Sequence, residues 1–272
     1  MEMWIGELLA DASPPEKPKF RAPLILLHGP WSGSWCWQSW ATHFCNLGWE
    51  CWAINFRGRF EERPLPVLRR LGFAACVEDV SRAIRSAPFP PVVAGHSLGA
   101  LVALKAAEEQ SLAALVLLSS PAPKQLRVPL PRPVRLLRLK YGFLSWLRRP
   151  FLLEEKDFRR FWFGAVAPAE QAELCRRMAP ESSYLIRDFL ARDIDFRFDR
   201  LRCPVLALGG SEDPLSPAAD LEELARALGA DSRVYPGHGH WMLGESGSEE
   251  IVREVHRWLV QKLGDRILLA EF

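Results

Sequence analysis

Apolar residues along the chain fall into two rhythms. Short continuous runs of three to five residues occur at Leu24–Leu27, Cys51–Asn55, Val92–Ala94, Ala114–Leu118, Val205–Leu208 and Arg233–Tyr235. Most are apolar at consecutive positions, which predicts strands of a parallel sheet covered on both faces. Between them lie longer stretches with apolar residues at helical spacing: Trp35–Asn46, Ala74–Ser86, Leu98–Glu109, Asp220–Leu228 and Glu249–Leu263. Gly48 closes the first of these. The alternation predicts an α/β fold, a mostly parallel central sheet flanked by helices.

The rhythm stops between Pro121 and Asp199. Prolines at 121, 123, 129, 131 and 133 open this stretch, and pieces rich in Leu, Phe, Trp and Arg follow. The expected organisation is a core over 1–120, a helical cap inserted at 121–199, and the rest of the core at 200–272. A chain of 272 residues suits one large domain of this kind.

Composition narrows the picture only a little. Hydrophobic residues at 49% and charged residues at 25% exclude wholesale disorder, and a net charge of +2 gives no argument for a nucleic-acid partner. The charge is uneven, however. Ala122–Arg160 holds eleven Lys/Arg against three acids, a net of +8, which leaves the remainder near −6. A solvated face is the common meaning of such a run; attraction to anionic substrates or to an anionic lipid surface is the other. Six cysteines without a CxxC pair, mostly in apolar segments, predict buried thiols rather than disulfides or a zinc site. The first residues carry no apolar stretch of signal-peptide length, and no run approaches the roughly 20 apolar residues that span a bilayer. A cytoplasmic setting is the expectation.

The chemistry concentrates at three places. Val92-Val93-Ala94-Gly95-His96-Ser97-Leu98-Gly99 is a short strand, then G-x-S-x-G, then a helix. Five residues alone are weak evidence, but a strand-to-helix turn this tight needs small neighbours and lifts the serine oxygen beside a helix N-terminus. A serine hydroxyl needs a base to take its proton and an acid to hold that base's tautomer. Asp213, in the turn after the Val205–Leu208 strand, is the candidate acid, with Glu212 expected to face solvent. Two histidines, His238 and His240, compete for the base. A metal reading of that pair lacks a third and fourth ligand.

Together these residues resemble the α/β-hydrolase superfamily over roughly 20–120 and 200–265. The strand followed by His28-Gly29, the GHSLG turn at 95–99, the acid loop at Asp213 and Gly239-His240-Trp241 carry the resemblance. "HGPWSGSWCWQSW" and "AINFRGR" also resemble small bacterial esterases and plant methylesterases, although Asn55 and Arg59 replace the usual Asp and His of the second loop. The resemblance implies Ser97 as nucleophile, His240 as base, Asp213 as its orienting acid, Glu245 as a structural carboxylate, and no metal or organic cofactor. It implies an oxyanion hole made by the N–H of Leu98 and that of the residue after His28-Gly29. Here that residue is Pro30, which has no N–H.

Three accounts of the missing donor stand. The loop re-forms so that Trp31 N–H or the Ser32 hydroxyl points inward, using the freedom of Gly33, which is the favoured account; or Leu98 N–H and the helix dipole act alone; or the site binds ligands and hardly turns over. His28 reads as a buried histidine that pins the loop. Trp146, Phe158 and Trp162 are the expected substrate-pocket residues of the cap. The expected activity is hydrolysis of small to medium apolar acyl esters by a serine carboxylesterase. Lysophospholipase, lipase, thioesterase, lactonase and acyltransfer chemistry use the same three residues, and a ligand sensor on the same fold is the rival outside enzymology.

Overall fold

A computed structural model describes residues 1–191 and 194–269. Eight strands form one sheet: β1 (Glu2–Ile5), β2 (Leu8–Ser13), β3 (Leu24–Leu27), β4 (Cys51–Ile54), β5 (Val92–His96), β6 (Ala114–Leu118), β7 (Val205–Gly210) and β8 (Asp231–Tyr235). Their order is β1-β2-β4-β3-β5-β6-β7-β8; β2 pairs antiparallel with both β1 and β4, and every pair from β4–β3 onward is parallel. All six predicted strands are present. The β1–β2 hairpin was not predicted; it adds two antiparallel strands at one edge, turned through Gly6 at φ 61°.

Helices α1 (Gln38–Asn46), α2 (Pro64–Leu68), α3 (Phe73–Ser86) and α4 (Leu98–Ala106) link the strands from β3 to β6, α9 (Ala218–Leu228) links β7 to β8, and α10 (Ser248–Leu263) follows β8. Alternate residues of one strand serve opposite faces. Leu24 and Leu26 of β3 join the core under Trp37, Trp40 and Val255, whereas Ile25 and Leu27 join that of Val80, Leu101 and Leu104. Both faces are therefore closed, which is why the central strands read as unbroken apolar runs.

Between β6 and β7 the described residues form α5 (Arg132–Trp146), α6 (Glu155–Asp157), a π-turn at Phe158–Trp162, α7 (Pro168–Arg177) and α8 (Ser183–Ala191). They add one isolated bridge, Phe151 to Glu181, and no strand to the sheet. No helix among the described residues is long and apolar enough to cross a membrane.

Candidate active site

Three loops at the carboxyl ends of β5, β7 and β8 meet at one rim of the sheet. Ser97 follows β5 with φ 55° and ψ −115°, a left-handed conformation that costs on the order of 1–3 kcal/mol and persists only where the surroundings enforce it. The enforcement is steric. A Cβ at Gly95 would lie 2.3 Å from the Gly99 carbonyl oxygen, and one at Gly99 would lie 2.4 Å from that of Leu27, so only glycines permit so tight a turn. Ser97 N–H also donates to the Leu118 carbonyl at 2.9 Å, tying the turn to β6.

His240 Nε2 lies 3.0 Å from Ser97 Oγ, and its Nδ1 lies 2.9 and 3.0 Å from the two oxygens of Asp213. All three side chains are buried. Since an ionised carboxylate only accepts, Nδ1 carries the proton and Nε2 is left as acceptor for the serine hydroxyl. Leu215 and Ser216 N–H donate to Asp213 Oδ1 at 2.8 and 2.9 Å, fixing the carboxylate. Glu212 is exposed, as expected.

His238 stands elsewhere. Its Nδ1 meets Glu245 Oε2 at 3.0 Å. The same carboxylate accepts the N–H groups of Gly239 and Trp241 at 2.9 and 3.1 Å, so Glu245 clamps the residues on either side of His240. Burial raises the Glu245 carboxyl above its ordinary pKa, against the pull of these donors and of His238. Two further buried histidines are kept neutral. Burial, the Arg59 charge and His96 lower His28 to about 3, and burial with the His240 charge lowers His96 to about 3. His28 is committed at both nitrogens: Nδ1–H donates to the Gly29 carbonyl at 2.7 Å, and Nε2 accepts Phe56 N–H at 3.2 Å.

The loop after Gly29 departs from the favoured expectation. Trp31 N–H donates to Glu181 Oε2 at 3.2 Å, and the Ser32 hydroxyl donates to the Gly29 carbonyl at 2.9 Å, so neither points at Ser97 as a spare donor. Nor does Gly33 supply the freedom. Trp31 itself takes φ 61°, while Gly33 is extended, and a Cβ there would meet the Trp35 ring at 3.0 Å. Pro30 contributes no N–H. Leu98 N–H, the first of α4, has no acceptor within its own helix and stands next to the nucleophile. Pro30→Ala restores an amide to the residue after His28-Gly29 and is expected to raise steady-state ester turnover at least about tenfold, a part of the 10² to 10³ that one such donor supplies. An unchanged rate shows that another group already serves as that donor.

Glu181 also takes the guanidinium of Arg59, and both side chains are buried, at 2% and 5% exposure. Arg59 further donates to the carbonyls of Ser32 and Pro180. Neither charge was singled out from the sequence as a partner of the other; the one signal was Arg59 standing where related loops carry histidine.

A cavity of about 30 Å³ opens at Ser97 and His240, lined by Leu137, Trp162, Phe189, Leu190 and Leu215 among others. That is room for about one water, far below the several hundred cubic ångströms of a filled ligand site. Substrate entry therefore needs side chains of α5 and α8 to move. Of the expected pocket residues, Trp162 lines the cavity. Phe158 stands behind it, edge-on to Trp162 and Trp31 at 5.6 and 5.9 Å. Trp146 is a correction: it is 75% exposed on the far side of α5, because that helix turns Val134 and Leu137 toward the cavity instead.

Known proteins share the family and the fold of this chain. The model of a family described as "Alpha/beta hydrolase family" matches residues 24–254. A protein named "Putative carbamate hydrolase RutD", from Escherichia coli O26:H11, is 32% identical over 158 residues, 54% of this chain and 58% of that protein. The chain thus spans a little over half the length of that relative. Among solved structures, a thermophilic esterase from Thermogutta terrifontis superposes with a TM-score of 0.69 at 21% identity, covering 94% of each chain. MenH from S. aureus does so at 0.72 and 16%, covering 93% of this chain and 98% of its own. At such identities the structures establish a shared fold.

Proposed function

The chain belongs to the alpha/beta hydrolase family, and from that premise we propose that it is a serine carboxylic-ester hydrolase acting on small to medium apolar acyl esters through an acyl-enzyme. The observation that carries the reading is the buried imidazole of His240 held between Ser97 Oγ at 3.0 Å and Asp213 at 2.9 Å. In this reading Ser97 passes its proton to His240 Nε2 as Oγ attacks the carbonyl carbon, and Asp213 accepts the Nδ1 proton throughout, stabilising the imidazolium. Charge on the former carbonyl oxygen meets Leu98 N–H and the positive end of α4. His240 then gives its proton to the leaving alkoxide, and water repeats the sequence to free Ser97. The apolar walls of the cavity favour an apolar acyl group. A carbamate carbonyl is attacked in the same way, and the relative's name makes it the first substrate to try beside esters.

A second reading is a ligand sensor with little turnover, supported by Pro30 and by the engagement of Trp31 N–H with Glu181. Release of p-nitrophenol from p-nitrophenyl butyrate separates the two. The esterase reading expects many equivalents per protein and a fluorophosphonate label found by mass on the Ser97 peptide. A single stoichiometric burst favours the sensor, and labelling elsewhere removes Ser97 from the chemistry.

A further inference from the structure

Helix α5 has two apolar faces. Leu137 and Tyr141 are buried, and Leu137 with Val134 lines the Ser97 cavity. On the other side Leu136, Leu139, Phe143 and Trp146 are 56, 84, 64 and 75% exposed. Their spacing confines them to an arc of about 80° at roughly 100° per residue. Phe143 and Trp146 stack on one another, ring centroids 5.8 Å apart. A helix packed on a protein at one face should be polar at the other. This one exposes its largest apolar side chains to water.

The surrounding charge says what would cover them. No acid occurs between Glu109 and Glu154. Arg132, Arg135, Arg138 and Arg149 are exposed and, among the described residues, have no ion-pair partner. Arg148 lies over the Tyr184 ring. Lys140 is the exception, paired with Glu154 and Asp157 at 2.6 and 2.7 Å. A second copy of the chain meeting this stripe through a two-fold axis would set these arginines against their own equivalents, with no acid in the stripe to answer them. Anionic headgroups answer all of them at once.

We propose that the outer face of α5 is a docking surface for an anionic lipid bilayer, with Leu136, Leu139, Phe143 and Trp146 entering the headgroup–acyl boundary and the arginines meeting lipid phosphates. The assignment concerns where the protein works and stands whether or not Ser97 cleaves esters. Docked in this way, one helix separates the bilayer from the cavity.

Co-sedimentation with vesicles tests it. The full chain is expected to bind phosphatidylcholine vesicles containing roughly one-third phosphatidylglycerol at least about tenfold more strongly than phosphatidylcholine alone. Arg135→Gln with Arg138→Gln, and separately Leu139→Ser with Phe143→Ser, are each expected to weaken that binding by roughly tenfold or more, with thermal unfolding unchanged. Because all four side chains are exposed, folding is not at stake. Absence of binding, equal binding to neutral vesicles, or self-association in ultracentrifugation that the Leu139→Ser/Phe143→Ser variant abolishes would each overturn the proposal.

Discussion

Replacing His240 by alanine is expected to lower turnover of p-nitrophenyl esters by on the order of 10⁶-fold, and Ser97→Ala by as much, because residues that act as one unit fail together. The double variant should be no worse than either single one. His238→Ala should retain activity. Only one imidazole has its Nε2 within 3.0 Å of Ser97 Oγ; the other is spent on Glu245. Initial rates at saturating ester measure all four proteins. Loss of activity in His238→Ala with survival in His240→Ala would reverse the assignment of the base.

Removing Arg59 or Glu181 alone is expected to destabilise the fold by about 3–5 kcal/mol, the usual consequence of leaving one buried charge without its partner. Glu181 has three further commitments: Oε2 takes Trp31 N–H, Oε1 takes Ser182 N–H at 2.8 Å, and its backbone bridges Phe151. Arg59→Met and Glu181→Leu combined should lose less than either alone, since no orphaned charge remains. Urea midpoints of the three variants check this. Single variants costing under about 1 kcal/mol would mean that water reaches the pair and screens it.

The sheet was legible because its central strands are apolar on both faces, and the serine turn because its glycines are dictated by backbone contact. Asp213 and a histidine of the last loop followed from the order in which the loops leave β7 and β8, whereas the choice of His240 over His238 came with the family resemblance. The hairpin at the start escaped because Glu2–Ile5 and Leu8–Ser13 are short and carry charge, although Ile5-Gly6-Glu7-Leu8 holds a two-residue turn with glycine first. Helix α2 was not predicted: Pro64 and Pro66 interrupt a five-residue stretch too short to show a helical period, and Pro64 sits at the helix start, where a missing N–H costs nothing. Trp146 was misplaced for a physical reason: α5 is apolar on two sides, so periodicity gives the helix but not which side faces inward. The Arg59–Glu181 pair joins positions 122 residues apart, a separation across which no local pattern carries information.

The glycines around Ser97 have a consequence for how such a molecule can change over generations. Gly95 and Gly99 press against backbone, as does Gly210, where a Cβ would lie 2.1 Å from the His238 carbonyl oxygen. Mutation has almost no room there. The walls over Ser97 come from α5, α8 and the turn at Trp162, whose side chains meet other side chains and tolerate exchange. New selectivity can therefore be acquired from that stretch while the reactive serine keeps its inherited setting.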